Sequence, residues 1–272
     1  MGFPMSQVIV WSPDLVIALL CSGSVAFYRP GALLWSVSSP SVEAGSRRRL
    51  IRDIALYRGK VYAIDSDDNI FVHELGGDHG DNAGAPMKPH RAARHVVMAQ
   101  PPNASKEAKR RMRYLVVCCD YLLMVRWSVP SGKRSSSSAS KATEGVKLRV
   151  FQADLEMGRW LEVEDLGDHA LFVGRGCSKA IRFTGDDQRF QGNRVYFLGY
   201  DFRANSPSIM TKKAENLPPS HLKQLFRENC YRLYRESPTY GFYDLMSCKV
   251  TQIFLTGKWN VWPQHSMEWF FP

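Results

Sequence analysis

The sequence predicts an all-β fold, a β-propeller of four-stranded blades, and three observations predict it. Short runs rich in Val, Ile, Leu, Phe and Tyr are separated by Gly, Asp, Asn and Pro at intervals that suit strands and tight turns. Helical periodicity is almost absent between them. The run-and-turn unit also recurs: Leu75 after Glu74, Leu155 after Asp154 and Leu245 after Asp244 each close a strand, about two blade lengths apart.

The clearest unit lies between Ile51 and Gln100. Ile54 to Tyr57 reads as a strand, Arg58 and Gly59 as a turn, and Val61 to Ile64 as a second strand. Asp65 to Asp68 reads as a turn, Asn69 to Leu75 as a third strand, and His95 to Ala99 as a fourth. A second four-strand set follows, at Tyr114 to Cys118, Leu122 to Trp127, Val146 to Ala153 and Trp160 to Glu164. Gly59, Val61, Tyr62, Ile64 and Asp65 reappear, with small insertions, as Gly192, Val195, Tyr196, Leu198 and Asp201. The pairs Phe27 with Trp35 and Phe151 with Trp160 suit residues that fill the wedge between adjacent sheets.

Five units are expected, beginning near Val8, Ile51, Tyr114, Ala170 and Tyr240, in one domain over residues 1–272. Loops are expected at 76–94, 101–113 and 131–145, and an irregular insertion at 203–237, where Ser220 to Asn229 suits a short helix after Pro218 and Pro219. A β-sandwich is the competing architecture; the repeat spacing favours the propeller.

A chain of 272 residues buries roughly three quarters of its extended surface and needs no metal or disulfide staple. Cys21, Cys118, Cys119, Cys177, Cys230 and Cys248 have neither the spacing of a secreted scaffold nor a Cys-x-x-Cys pair, and read as reduced thiols packed mostly in strands. The longest early apolar run, Leu15 to Phe27, is shorter than a membrane span and has no basic segment before it. The reading is therefore cytoplasmic and/or nuclear, with no membrane partner and with the sequon at Asn103 unglycosylated.

A formal charge of +10 points to acidic partners. The excess gathers at Arg47, Arg48, Arg49 and Arg52, at Lys106 to Arg113, and at Lys133, Arg134 and Lys141. The binding candidate is the run Lys109, Arg110, Arg111 and Arg113, read first as a solvated loop, then as a nuclear import signal, then as a nucleic-acid contact. No interleaved exposed aromatics support the last, so nucleic acid is a weaker expectation than a protein partner. Ser135 to Ser138, after Lys133 and Arg134, form a tract suited to a basic-directed kinase.

One stretch is more specific. Phe151, Asp154, Leu155, Trp160, Val163, Asp165, Leu166, Gly167, Asp168, Ala170, Leu171, Phe172 and Gly174 spell F-x-x-D-L-x-x-x-x-W-x-x-V-x-D-L-G-D-x-A-L-F-x-G. It resembles the plant F-box-associated domain of unknown function 295, also called the KIB-type β-propeller. Gly192, Asn193, Val195, Tyr196 and Phe197 resemble the G-N-x-x-Y-F element of that family, Tyr57 to Ala63 its F-Y-x-G-K-x-Y-A strand pair, and Trp269 to Pro272 its closing W-F-x-P. The resemblance implies a propeller that holds a client for a cullin ubiquitin ligase, which an F-box joins through a Skp-type adaptor. No F-box precedes Val8 and the early G-W-L and N-P-L-T-type elements are absent. A truncated member is thus implied, without direct adaptor docking and with an open sheet edge.

Catalytic and metal motifs do not accumulate. Asp65, Asp67 and Asn69 imitate the start of a calcium loop, but Ile70 and Gly76 stand where it needs Gly and Glu; a hairpin turn is expected. Asp78, His79, Asp81, His90 and His95 match no known metal spacing. Gly174, Gly176 and Lys179 read as a turn, and Asp165 and Asp168 as shapers of the turn before the Ala170 strand. The expectation is a non-enzymatic interaction module with no cofactor and no metal.

Overall fold

The computed structural model describes residues 5–38, 50–75, 94–96, 98–99, 110–129, 147–174, 176–183, 190–198 and 239–254. The apolar runs become strands because Val, Ile and aromatic side chains fit a pleated surface, and the Gly and Asp positions become turns. The described strands form four sheets. The first is β1 (Met5–Ser12), β2 (Leu15–Leu20), β3 (Val25–Tyr28) and β4 (Ser36–Ser38). The second is β5 (Ile51–Tyr57), β6 (Lys60–Asp65), β7 (Ile70–Glu74) and β8 (Arg94–Val96). The third is β9 (Arg110–Cys118), β10 (Tyr121–Val129), β11 (Lys147–Asp154) and β12 (Arg159–Val163). All three are antiparallel meanders.

The fourth sheet has five strands: β13 (His169–Val173), β14 (Lys179–Arg182), β15 (Arg194–Leu198), β16 (Thr239–Asp244) and β17 (Lys249–Phe254). Their order is β14-β13-β15-β16-β17, and β13 pairs with β15 in parallel. The units expected at Ala170 and Tyr240 therefore share one sheet. The long connection between β15 and β16, which contains the expected insertion at 203–237 and lies outside the described residues, makes one blade look like two in the sequence.

Asp154 and Asp244 mark equivalent corners. In each, the carboxylate accepts the backbone N–H three residues on, from Met157 (3.1 Å) or Ser247 (2.9 Å), and an arginine Nε, from Arg159 (2.9 Å) or Arg194 (3.1 Å). The fifth residue of each corner, Gly158 or Cys248, has a positive φ. At Asp154 and Asp244 the acidic-leucine signature is thus a turn device that starts the last strand of a sheet, whereas Glu74 ends β7 and pairs with Lys60 at 3.1 Å.

The sheets pack face to face, and successive residues of each second strand serve two different interfaces. Ile17 and Val61 meet between the first and second sheets, with Phe27 and Ile54. Tyr62 and Leu122 meet between the second and third, with Phe151 and Trp160. Leu123 and Val195 meet between the third and fourth, with Trp127 and Phe197. This serial packing of three four-stranded sheets and one of five strands is a β-propeller. Phe27, Phe151 and Trp160 fill the wedges as expected; Trp35 instead stacks on Tyr28 and covers Ala18, Leu20 and Ala26 on the other face of the first sheet.

β5 lies against β9, and β9 against β13, each the first strand of its sheet in chain order. Gln7 of β1 makes a two-way pair with the Ile54 backbone of β5, donating at 2.9 Å and accepting at 3.1 Å. The Asp53 carboxyl, also on β5, accepts from Leu115 N of β9 at 2.7 Å and from Ile54 N at 2.9 Å. Two buried polar side chains therefore stitch the first strands of three successive sheets. Among the described residues no helix is long and apolar enough to cross a membrane.

Candidate functional site

A rim of exposed groups forms where the β5–β6 turn, the β9–β10 turn and the start of β13 converge. Its base is fixed by hydrogen bonds between blades: Tyr57 Oη donates to Asp120 O at 2.6 Å and Arg58 Nη2 to the same oxygen at 3.5 Å. Arg58 also lies over the Tyr57 ring, 5.1 Å from its centroid. Beside Asp120, Cys119 is exposed and Tyr121 presents 53% of its surface. Arg58 and Cys119 both have positive φ, the conformation a two-residue hairpin needs, and so each holds its side chain on a rigid corner.

The other wall is built by the D-L-G-D and G-N elements acting together. Asp165 Oδ1 accepts Gly167 N at 2.8 Å, and Asn193 Oδ1 accepts Leu166 N at 3.0 Å. Asn193 N in turn donates to His169 O at 2.8 Å. A Cβ on Gly192 would come within 2.7 Å of Gly167 O, so only glycine lets the two elements meet. Their meeting places Asp168 and His169 opposite Cys119.

His169 Nδ1 and Asp168 Oδ1 are 2.9 Å apart, and Arg182 Nε donates to Asp168 Oδ2 at 2.6 Å. Arg182 holds the Asp168 carboxyl below the usual carboxylate range. In the neutral tautomer that directs Nδ1–H at Asp168, the lone pair is on Nε2, which lies 3.4 Å from Cys119 Sγ. Cys118, one residue earlier, is buried at the interface of the third and fourth sheets, and burial pushes its thiol up to about 12. Cys118, Cys119 and His169 each bring one donor atom within 4.8 Å of the others, a group that could hold a metal among the described residues.

A second polar cluster is buried between the second and third sheets. Asp68, in the β6–β7 turn with φ 66, pairs with Arg113 Nε and lies 3.5 Å from Arg126 Nη1. Trp160 Nε1 donates to Asp68 O at 3.0 Å, and the Arg126 guanidinium lies over Phe151 at 4.6 Å. Of the expected basic run, Arg113 is drawn into this buried cluster. β9 begins at Arg110, inside the expected loop, and Arg113 faces the interior because pairing with Asp68 compensates its buried charge. Lys109 and the side chains of Arg110 and Arg111 lie outside the described residues.

This geometry can be set beside known proteins. The family profile described as the KIB1-4 β-propeller matches residues 2–235. The chain belongs to this family. A putative F-box protein of Arabidopsis thaliana is 38% identical over 55 residues, which are 20% of this chain and 14% of that protein, so the match spans a small part of the relative's length. Among solved structures, Kluyveromyces lactis Hsv2 covers 60% of this chain and 46% of its own at 13% identity, with a TM-score of 0.31. One chain from the S. cerevisiae complex of a Dbp5 variant with Nup159, a Gle1 variant, IP6 and ADP covers 94% of this chain and 50% of its own at 8% identity, with a TM-score of 0.37. The WD40 domain of SCAP from fission yeast covers 94% and 53% at 10% identity, with a TM-score of 0.26.

Within this KIB1-4 propeller, the Asp65 carboxylate accepts Asp67 N at 2.8 Å and Asn69 N at 2.9 Å, as the hairpin reading of the calcium-like stretch expects. His95 lies in β8, stacked on Phe71; Asp78, His79, Asp81 and His90 lie outside the described residues. Gly174 and Gly176 lie in the connection from β13 to β14 and Lys179 begins β14, consistent with a turn. Reading the cysteines as strand thiols missed the Cys119 cluster. The available signal was an adjacent pair, Cys118 and Cys119, directly before the turn residue Asp120.

Proposed function

We propose that this propeller holds a client protein on the rim formed by the β5–β6 and β9–β10 turns, as the client-binding part of an F-box-type ubiquitin ligase. The observation that carries the client-binding reading is the rim itself. Tyr121 and Arg58 are residue types that anchor interfaces, and here they stand exposed on corners locked by the bonds to Asp120. Membership of the KIB1-4 family and the stretch shared with a putative F-box protein support the ligase connection. The grouping with domain of unknown function 295 belongs to the same reading, on the residues of the D-L-G-D and G-N elements.

The test is affinity capture of the tagged chain from its native cells, in parallel with an Arg58→Ala/Tyr121→Ala variant. Recovery of the client is expected to fall about tenfold or more, the effect of losing a hot-spot pair. The melting temperature should stay within about 2 °C, because both side chains are surface groups. Neutralising Lys109, Arg110 and Arg111 should leave recovery intact. Equal recovery with the rim variant, or binding that collapses with salt and with loss of the basic run, would reject the rim.

A further inference from the structure

The geometry points to a metal-binding site for a thiophilic divalent cation of the zinc class, clipped between the third and fourth sheets by Cys118, Cys119 and His169. Adjacent strand residues ordinarily face opposite sides of a sheet. Here Cys118 ends β9 and Cys119 enters the turn with φ 52, so both thiols reach the same neighbourhood, with one donor atom of each residue within 4.8 Å of the others. A zinc ion with bonds of about 2.3 Å to sulfur and about 2.0–2.1 Å to nitrogen sets a tetrahedral S···N edge of about 3.6 Å. The Cys119 Sγ to His169 Nε2 separation of 3.4 Å lies close to that edge.

An independent observation concerns the group behind the histidine. Metal-bound imidazoles commonly donate their second N–H to a carboxylate, which fixes tautomer and ring orientation. His169 does this to Asp168, whose other oxygen is held by Arg182. The motif residues that seat Asp168 therefore aim Nε2 at the thiols. Binding releases one proton from each cysteine, so two thiolates and a neutral imidazole balance a divalent charge. Three protein ligands leave the fourth position for water or an incoming donor, as in zinc sites that are not closed. The site lies on the client-facing rim but does not depend on a client.

The test uses the full chain, reduced and stripped with a chelator, titrated with Zn²⁺ against a competing indicator and with Co²⁺ for its thiolate absorption. One equivalent should bind, Co²⁺ should give a thiolate charge-transfer band, and Zn²⁺ should raise the melting temperature. Cys119→Ser and His169→Ala, both away from the deep core, should each weaken Zn²⁺ binding about 100-fold or more. Asp168→Asn should weaken it about 10–100-fold. Cys248→Ser, outside the cluster, should bind as the parent does. The Co²⁺ band reads the ligands in the parent chain, where no substitution has disturbed the fold. Undiminished Zn²⁺ affinity in Cys119→Ser and His169→Ala, or no thiolate band with Co²⁺, would overturn the assignment.

Discussion

Replacing Asp68 by Asn is expected to cost about 3–5 kcal/mol of folding stability. The side chain is fully buried and faces two buried arginines, Arg113 and Arg126. Asparagine preserves size and tolerates the positive φ at this position, so the substitution removes charge and leaves the backbone preference in place. Two guanidinium groups then share an interior that has lost its anion. Urea unfolding measures the loss directly. Changing Arg113 to Met in the same background should recover part of it, because one of the uncompensated charges is gone. A loss below about 1 kcal/mol would mean that the cluster is hydrated and does not lock the second sheet to the third.

The second large effect depends on pH. Burial raises the Asp53 carboxyl from 3.8 to about 8, against the pull of the Leu115 and Ile54 amides and Gln7. The folded state therefore keeps its proton between about pH 4 and pH 8 while the unfolded chain releases it. Protons bound in the native state exceed those in the unfolded state, so stability falls as pH rises through this window and levels off above it. From 3.8 to about 8, at about 1.4 kcal/mol for each step of one in pKa, the full span corresponds to roughly 6 kcal/mol. Asp154, Asp168 and Asp244 shift the other way; their stabilisation is present above the unfolded value and fades as pH falls below it, outside the Asp53 window. Urea midpoints at pH 5 and pH 8 should differ in the parent. The difference should shrink in Asp53→Asn, and an unchanged difference would mean that Asp53 is ionised in the fold.

Most of the fold was legible because its strands are short apolar runs, buried on both faces in β2, β6 and β7, and the turns between them carry Gly, Asp and Asn. The predicted strands around Ile54, Val61, Leu122 and Trp160 stand within a few residues of β5, β6, β10 and β12. What failed was connectivity. The β13–β15 pair is parallel and β16 arrives after a long connection, and neither leaves a mark in local hydrophobic pattern. The family-level reading came from the D-L-G-D and G-N elements, and the structure gives their physical role: one docks on the other through Gly192 and Asn193 and so presents His169. The site was less legible. Arg113 reads as a surface charge until Asp68, distant in the chain, is placed beside it. Cys119 reads as a core thiol until a positive φ turns it to His169.

Hydrogen exchange read by mass spectrometry, on the chain alone and with its captured client, tests most directly the claim that this propeller binds a protein through one rim. The account predicts new protection concentrated at the turns around Arg58 and Asp120 and at the start of β13. Protection confined to the opposite rim, at the β6–β7 turn around Asp67, or along the outer strand β12, would contradict it.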